Sequence, residues 1–179
     1  MKDSRDAVQL VVSAPSEHVV TLTYRAQCRT TLGALTQLIA SARKTLVLAA
    51  PFLQAEQGLA RGPMSEAVQA ALRRGVEVQV LSTGKGLEAI DYRSLSEAAG
   101  HLTLLRPRPN LENERALGAH AKLCAADWET AYIGSANFTG PGLSYQVEIG
   151  VLVSGPVVRQ LQAFWTYCLE EELFVKTSG

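Results

Sequence analysis

One stretch of this sequence has the residue types and spacing to do chemistry: HAKLCAADWETAYIGSANFTGPGLSYQVE, residues 120 to 148. His120 and Lys122 are two apart, Asp127 follows, and Gly134-Ser135 and Asn137 come next. In a strand, residues two apart point to the same face, so His120 and Lys122 share one side, as do Ser135 and Asn137 just past the next strand. Four such side chains suit a phosphodiester. Lys122 supplies a fixed positive charge, while the Asn137 amide and the Ser135 hydroxyl donate hydrogen bonds to non-bridging oxygens. Gly134 permits close approach of the backbone. A histidine with an ordinary pKa near 6.5 serves either as a neutral nucleophile or as a protonated acid. No Asp/Glu cluster with two-metal spacing and no His/Cys ligand set accompanies them, so no metal or cofactor is expected.

The full pattern, HxK(x4)D(x6)GSxN, resembles the catalytic motif of the phospholipase D superfamily. Six fixed positions make it specific, although it covers about a sixth of the chain. The resemblance implies that His120 attacks phosphorus to give a covalent phosphohistidine, that a second histidine protonates the leaving oxygen, and that water resolves the intermediate. It also implies an acidic residue near Glu148 that accepts the imidazole Nδ1 hydrogen. Asp127 is expected to be structural, tying the motif's loop together at a tight turn.

Such a site uses two HxK motifs, and this sequence has one, since His18 and His101 are not followed by lysine at the second position. The superfamily's small single-motif members dimerise about a two-fold axis, which implies a homodimer with one composite site. The segments TLTYRAQCRTTLGALTQLIASARKTLVLAAPFLQ and GSANFTGPGLSYQVEIGVLV also resemble the phospholipase D-like component of bacterial DISARM-type anti-phage operons. That resemblance implies a helicase and a DNA-binding companion as partners, and a role in antiviral defence.

The elements that must hold these residues follow from patterning. Val8 to Val12 and His18 to Tyr24 read as a hairpin within an N-terminal strand region, residues 1–28. Thr30 or Thr31 caps a helix running to about Arg43, and Thr45 to Phe52 is a buried strand. Gly62-Pro63 opens a helix ended by Gly75, and Val76 to Leu81 is a strand. A helix over 87–99, a strand over 102–105 and a loop over 106–118 come next. Strands over 119–125, 130–133 and 146–153 form the motif region (119–153), and Gly155-Pro156 opens the last helix. Alternation of strands and helices predicts a single α/β domain over residues 1–179, a mixed, mostly parallel sheet flanked by helices on both faces.

Composition limits the substrate. Of 179 residues, 47% are hydrophobic and 19% charged, enough for a real core, and 17 basic residues balance 17 acidic ones. No global positive field therefore draws the chain to DNA or to an anionic membrane. Local contacts to DNA are expected from Arg106, Arg108 and Arg115, with Lys85 and Arg93 as further candidates, though each reads equally well as a solvated charge. The longest strictly apolar run, Leu46 to Leu53, is far short of the roughly 20 residues of a spanning helix. Asp3, Asp6 and Gln9 argue against a signal peptide, and three unpaired cysteines suit a reducing cytoplasm. The expected function is a metal-independent nuclease acting on DNA. The alternatives are a phosphate-binding scaffold subunit and a lipid phosphodiesterase, the latter to be marked by an apolar rim at Phe138 and Leu143.

Overall fold

The computed structural model describes residues 6–53, 59, 61–83, 86–87, 90, 95, 101–109, 112–113 and 116–177. Strand β3 (Thr45–Ala49) lies at the centre, with Leu46, Val47, Leu48 and Ala49 all buried. A strand covered on both faces reads as a continuous apolar run, as this one does. On one side it pairs in parallel with β4 (Glu77–Leu81), which pairs in parallel with β5 (His101–Pro107). On the other side it pairs antiparallel with β8 (Leu123–Ala126), followed by β9 (Thr130–Gly134), β10 (Glu148–Ser154) and β1 (Ala7–Ser13). Strands β2 (Arg29–Thr30) and β11 (Phe174–Lys176) form the edges, and β6 (Glu112–Asn113) and β7 (Ala116–Leu117) pair separately. The sheet is mixed, with helices on both faces. Parallel pairing is confined to β3–β4–β5 and β1–β2, where strands and helices alternate in the sequence.

One face is covered by α2 (Thr31–Ser41) and α3 (Pro63–Arg73), whose apolar stripes join a core with Leu46, Leu48, Val78 and Val80. Thr30 caps α2, its hydroxyl accepting from Gly33 N at 3.2 Å. Helix α3 starts with Pro63 at its first position and ends before Gly75, whose φ of +81° favours glycine. The other face is covered by α5 (Pro156–Glu170) through Val158, Trp165 and Cys168. Each large apolar side chain fully buried in these layers stabilises the fold by roughly 1.5–3 kcal/mol. The first turn of α5 lacks a capping side chain of its own, and Asp6 supplies one, accepting from Val157 N at 2.8 Å.

Three sequence expectations are corrected. Residues His18 to Tyr24 are not the second strand of a hairpin but lie within helix α1 (Ser16–Ala26). Strand β1 pairs instead with β10, and α1 carries the chain across to β2, which lies parallel to β1. The β-branched residues of α1 bury nothing, so their strand propensity had no sheet position to favour. Arg106 and Pro107 extend β5 rather than opening a loop, because β11 pairs with them. His120 and Lys122 precede β8 rather than lying in it. The helix expected over 87–99 falls mostly outside the described residues.

Candidate active site

The carboxyl ends of β3, β4 and β5, the start of β8, the end of β9 and the start of β10 all meet at one edge of the sheet. Open α/β sheets bind ligands at this edge, where backbone groups and loops converge. Lys122 is held by register: Gly134 N donates to its carbonyl at 3.3 Å. Its side chain is only 8% exposed, whereas His120 is exposed. The ammonium Nζ lies 3.0 Å from His120 Nδ1 and 3.1 Å from Nε2, and donates to the His120 carbonyl at 3.1 Å. Lying almost equally far from both ring nitrogens, the ammonium sits over the face of the imidazole. Burial pushes the Lys122 pKa down, and the Glu148 carboxylate acts in the opposite direction.

Ser135 follows β9 and is stitched to β10. Its N–H donates to the Ile149 carbonyl at 3.0 Å, and its hydroxyl accepts from Ile149 N at 3.1 Å. The same hydroxyl donates to Glu148 Oε2. The described hydrogen bonds of Glu148 run to Ser135, and the imidazole-orienting role that the resemblance implies for it remains a proposal. Its carboxylate is engaged by the neighbouring loop. Asn137 is half-buried two residues on, its Oδ1 buried and without a hydrogen-bond partner among the described residues.

Gly134 was also expected to be structural within the motif. A Cβ there would strike the Tyr132 hydroxyl and come within 2.9 Å of Gly150 Cα, so the glycine makes room for protein. Gly142 was missed in the sequence. It lies in the short helix α4 (Gly140–Ser144), where a Cβ would come within 2.6 Å of the Asn137 carbonyl oxygen. Thr139 caps α4 by accepting from Gly142 N at 3.3 Å. The Gly-Pro-Gly run was the available signal, since clustered glycines mark close backbone approach.

Asp127 lies at the far end of β8, roughly 16 Å from Lys122 by strand rise. It accepts from the backbone N–H groups of Arg43, Lys44 and Thr45 at 2.9, 2.7 and 2.9 Å. Burial alone would raise its pKa, but these three bonds and the Lys44 charge bring it below the usual value. Asp127 and Trp128 both take φ near +50°, the pattern of a type I′ hairpin turn.

The expected arginine contacts fare unevenly. Arg108 is occupied, its guanidinium donating to the Glu172 and Glu171 carbonyls at 2.8 and 2.7 Å at the end of α5. Arg106 is exposed on β5, three strands from β8 and so roughly 14 Å away laterally. Arg115, Lys85 and Arg93 lie outside the described residues. Phe138 and Leu143 are buried in the core, so they form no rim. Four other apolar residues are exposed on or next to this edge: Phe52 at 45%, Tyr145 at 55%, Val147 at 80% and Ile149 at 61%.

Residues 35–167 match the family described as cardiolipin synthase, PLD-like domain. The chain belongs to this phospholipase D-like family. It is 28% identical over 149 residues to the cardiolipin synthases of Listeria welshimeri and Listeria monocytogenes, covering 79% of this chain and 30% of each relative. The chain thus spans under a third of the length of these relatives. Its fold is shared with a phospholipase D family member, Nuc from Salmonella typhimurium (TM-score 0.63, 19% identity, 98% of this chain and 100% of that one). NucT from Helicobacter pylori is similar (0.66, 15%, 97% and 100%), as is phosphatidylserine synthase from Haemophilus influenzae (0.64, 12%, 98% and 41%). Family membership rests on the match over residues 35–167, and the solved structures share its fold.

Proposed function

We propose that this chain is a metal-independent phosphodiesterase that works as a homodimer and cleaves DNA. The observation that carries the reading is the clasp of the Lys122 ammonium on the ring of His120, at an exposed edge where Ser135 and Asn137 also emerge. A ring nitrogen of His120 attacks phosphorus as the bond to the leaving oxygen breaks, and Lys122 offsets the charge on the non-bridging oxygens. The leaving oxygen needs a proton. His120 of a second copy supplies it, and the same ring, now neutral, takes a proton from the water that then attacks phosphorus. The phosphorus–nitrogen bond breaks, and His120 is regenerated. Two identical imidazoles around one anion titrate as a pair.

The exposed side chains of Tyr145, Val147 and Ile149 flank Glu148 and fit the contact such a dimer requires. Arg106 on the same edge is a candidate phosphate contact, and binding through so few cations weakens steeply with salt. The helicase and DNA-binding companion expected from the DISARM-type resemblance belong to this reading, since they would bring DNA to a weakly basic surface. A lipid phosphodiester is the second reading, favoured by the same apolar rim and by the cardiolipin synthases among the relatives.

One assay tests both. Wild type and His120→Ala are incubated in excess EDTA with end-labelled single- and double-stranded DNA, and separately with phosphatidylglycerol vesicles. Cleavage of DNA by wild type alone is the expected result. Headgroup exchange or hydrolysis on vesicles without DNA cleavage transfers the assignment to lipid, and equal activity of the alanine variant overturns the role of His120.

A further inference from the structure

Tyr132 lies directly beneath the loop that carries Ser135 and Asn137. Its side chain is fully buried, and its ring fills space that two glycines leave open. A Cβ on Gly150 would come within 2.5 Å of Tyr132 Cε2, and a Cβ on Gly134 would strike its hydroxyl oxygen. The hydroxyl thus ends at the level of the loop, beside the Ala136 main chain and the Thr31 hydroxyl and within the field of Glu148. Among the described residues, neither Tyr132 Oη nor Thr31 Oγ1 completes a hydrogen bond of ordinary geometry, and Asn137 Oδ1 is also unpaired. Burying an unpaired hydroxyl is disfavoured, so packing alone would be served better by phenylalanine. Catalytic hydrogen bonds are commonly long in the free enzyme and tighten when the reacting group binds.

We propose that Tyr132 is a positioning residue whose hydroxyl, backed by Thr31, sets the height at which the Gly134–Asn137 loop presents Ser135 and Asn137 to the phosphate. The proposal rests on the phosphodiesterase reading and adds a group that the HxK motif does not contain. Tyr132 touches no substrate. It acts through Ala136, so its loss falls on the transition state, where the loop's donors must be placed most accurately.

The test compares wild type with Tyr132→Phe and Thr31→Val, measuring kcat, KM, melting temperature and the affinity for orthovanadate, a mimic of pentacoordinate phosphorus. The expected result for Tyr132→Phe is an unchanged or higher melting temperature, an unchanged KM, and about tenfold losses in both kcat and vanadate affinity. Thr31→Val moves the same two quantities in the same direction by less. Wild-type kcat and vanadate affinity in Tyr132→Phe overturn the proposal. Should that variant fail to fold, unchanged values in Thr31→Val overturn it instead. A wild-type protein that neither binds vanadate nor turns over a phosphodiester overturns the underlying reading, and this one with it. Equal vanadate binding by wild type and Tyr132→Phe overturns this one alone.

Discussion

Lys122 combines two opposed demands: its ammonium must be charged to serve a phosphate, yet its side chain is almost wholly buried. Burial pushes its pKa below the lysine value of 10.5. Activity that depends on this charge is therefore lost with rising pH earlier than an ordinary lysine would lose it. The stability effect has the opposite sign. Between the lowered folded pKa and the unfolded value the unfolded chain binds more protons, so stability rises with pH across that window. A pH–rate profile with an alkaline limb below 10.5, beside a melting temperature that rises over the same range, is the expected pair of results. Lys122→Met is expected to lose at least about 100-fold in kcat without a fall in melting temperature. Residue identity and spacing made His120, Lys122, Ser135 and Asn137 legible in the sequence. The partner of Glu148 was not, because the Ser135–Glu148 contact depends on how β9 and β10 register, which spacing does not specify.

At the scale of elements, the hairpin of β8 and β9 is anchored at both ends. Its turn is fastened to the α2–β3 junction by Asp127, and its open end carries Lys122 and Ser135. Removing the Asp127 carboxylate leaves three N–H groups without their acceptor. Asp127→Ala is expected to cost about 2 kcal/mol, roughly 4–8 °C in melting temperature, with vanadate affinity changed far less. The depressed pKa fixes the pH dependence. This stabilisation is complete above the unfolded value near 4 and is lost as pH falls through the folded one. Calorimetry from pH 7 down to pH 2 checks it, because the gap between wild type and variant should narrow as the carboxylate is protonated. Helices with caps, such as α2 after Thr30 and α3 after Gly62-Pro63, were readable because local chemistry sets their ends. Helix α1 was not, since Val19, Val20 and Thr21 favour a strand and only the pairing of β1 with β10 and β2 excludes one.

For the whole molecule, a complete site with two histidines requires a second copy. The chain has three histidines, and only His120 joins the Lys122 cluster among the described hydrogen bonds. Val147 and Ile149 flank Glu148 and are exposed, so charging them disturbs no core. Val147→Glu with Ile149→Glu is expected to leave the melting temperature within a few degrees, convert a dimer to a monomer in sedimentation, and reduce turnover at least 100-fold. A monomeric wild type with full activity would contradict the composite site. The strand over 146–153 was readable, but the exposure of Ile149 was not, since no pattern within one chain marks a face that another copy covers.

The central claim is that His120 becomes covalently linked to phosphorus. The most direct measurement is mass spectrometry of protein mixed with a phosphodiester substrate in excess EDTA and quenched at alkaline pH, where phosphohistidine survives. The account predicts an adduct on the peptide bearing His120, at no more than one per two chains, and none in His120→Ala. Turnover without any adduct on that peptide, or an adduct placed on another residue, would contradict it.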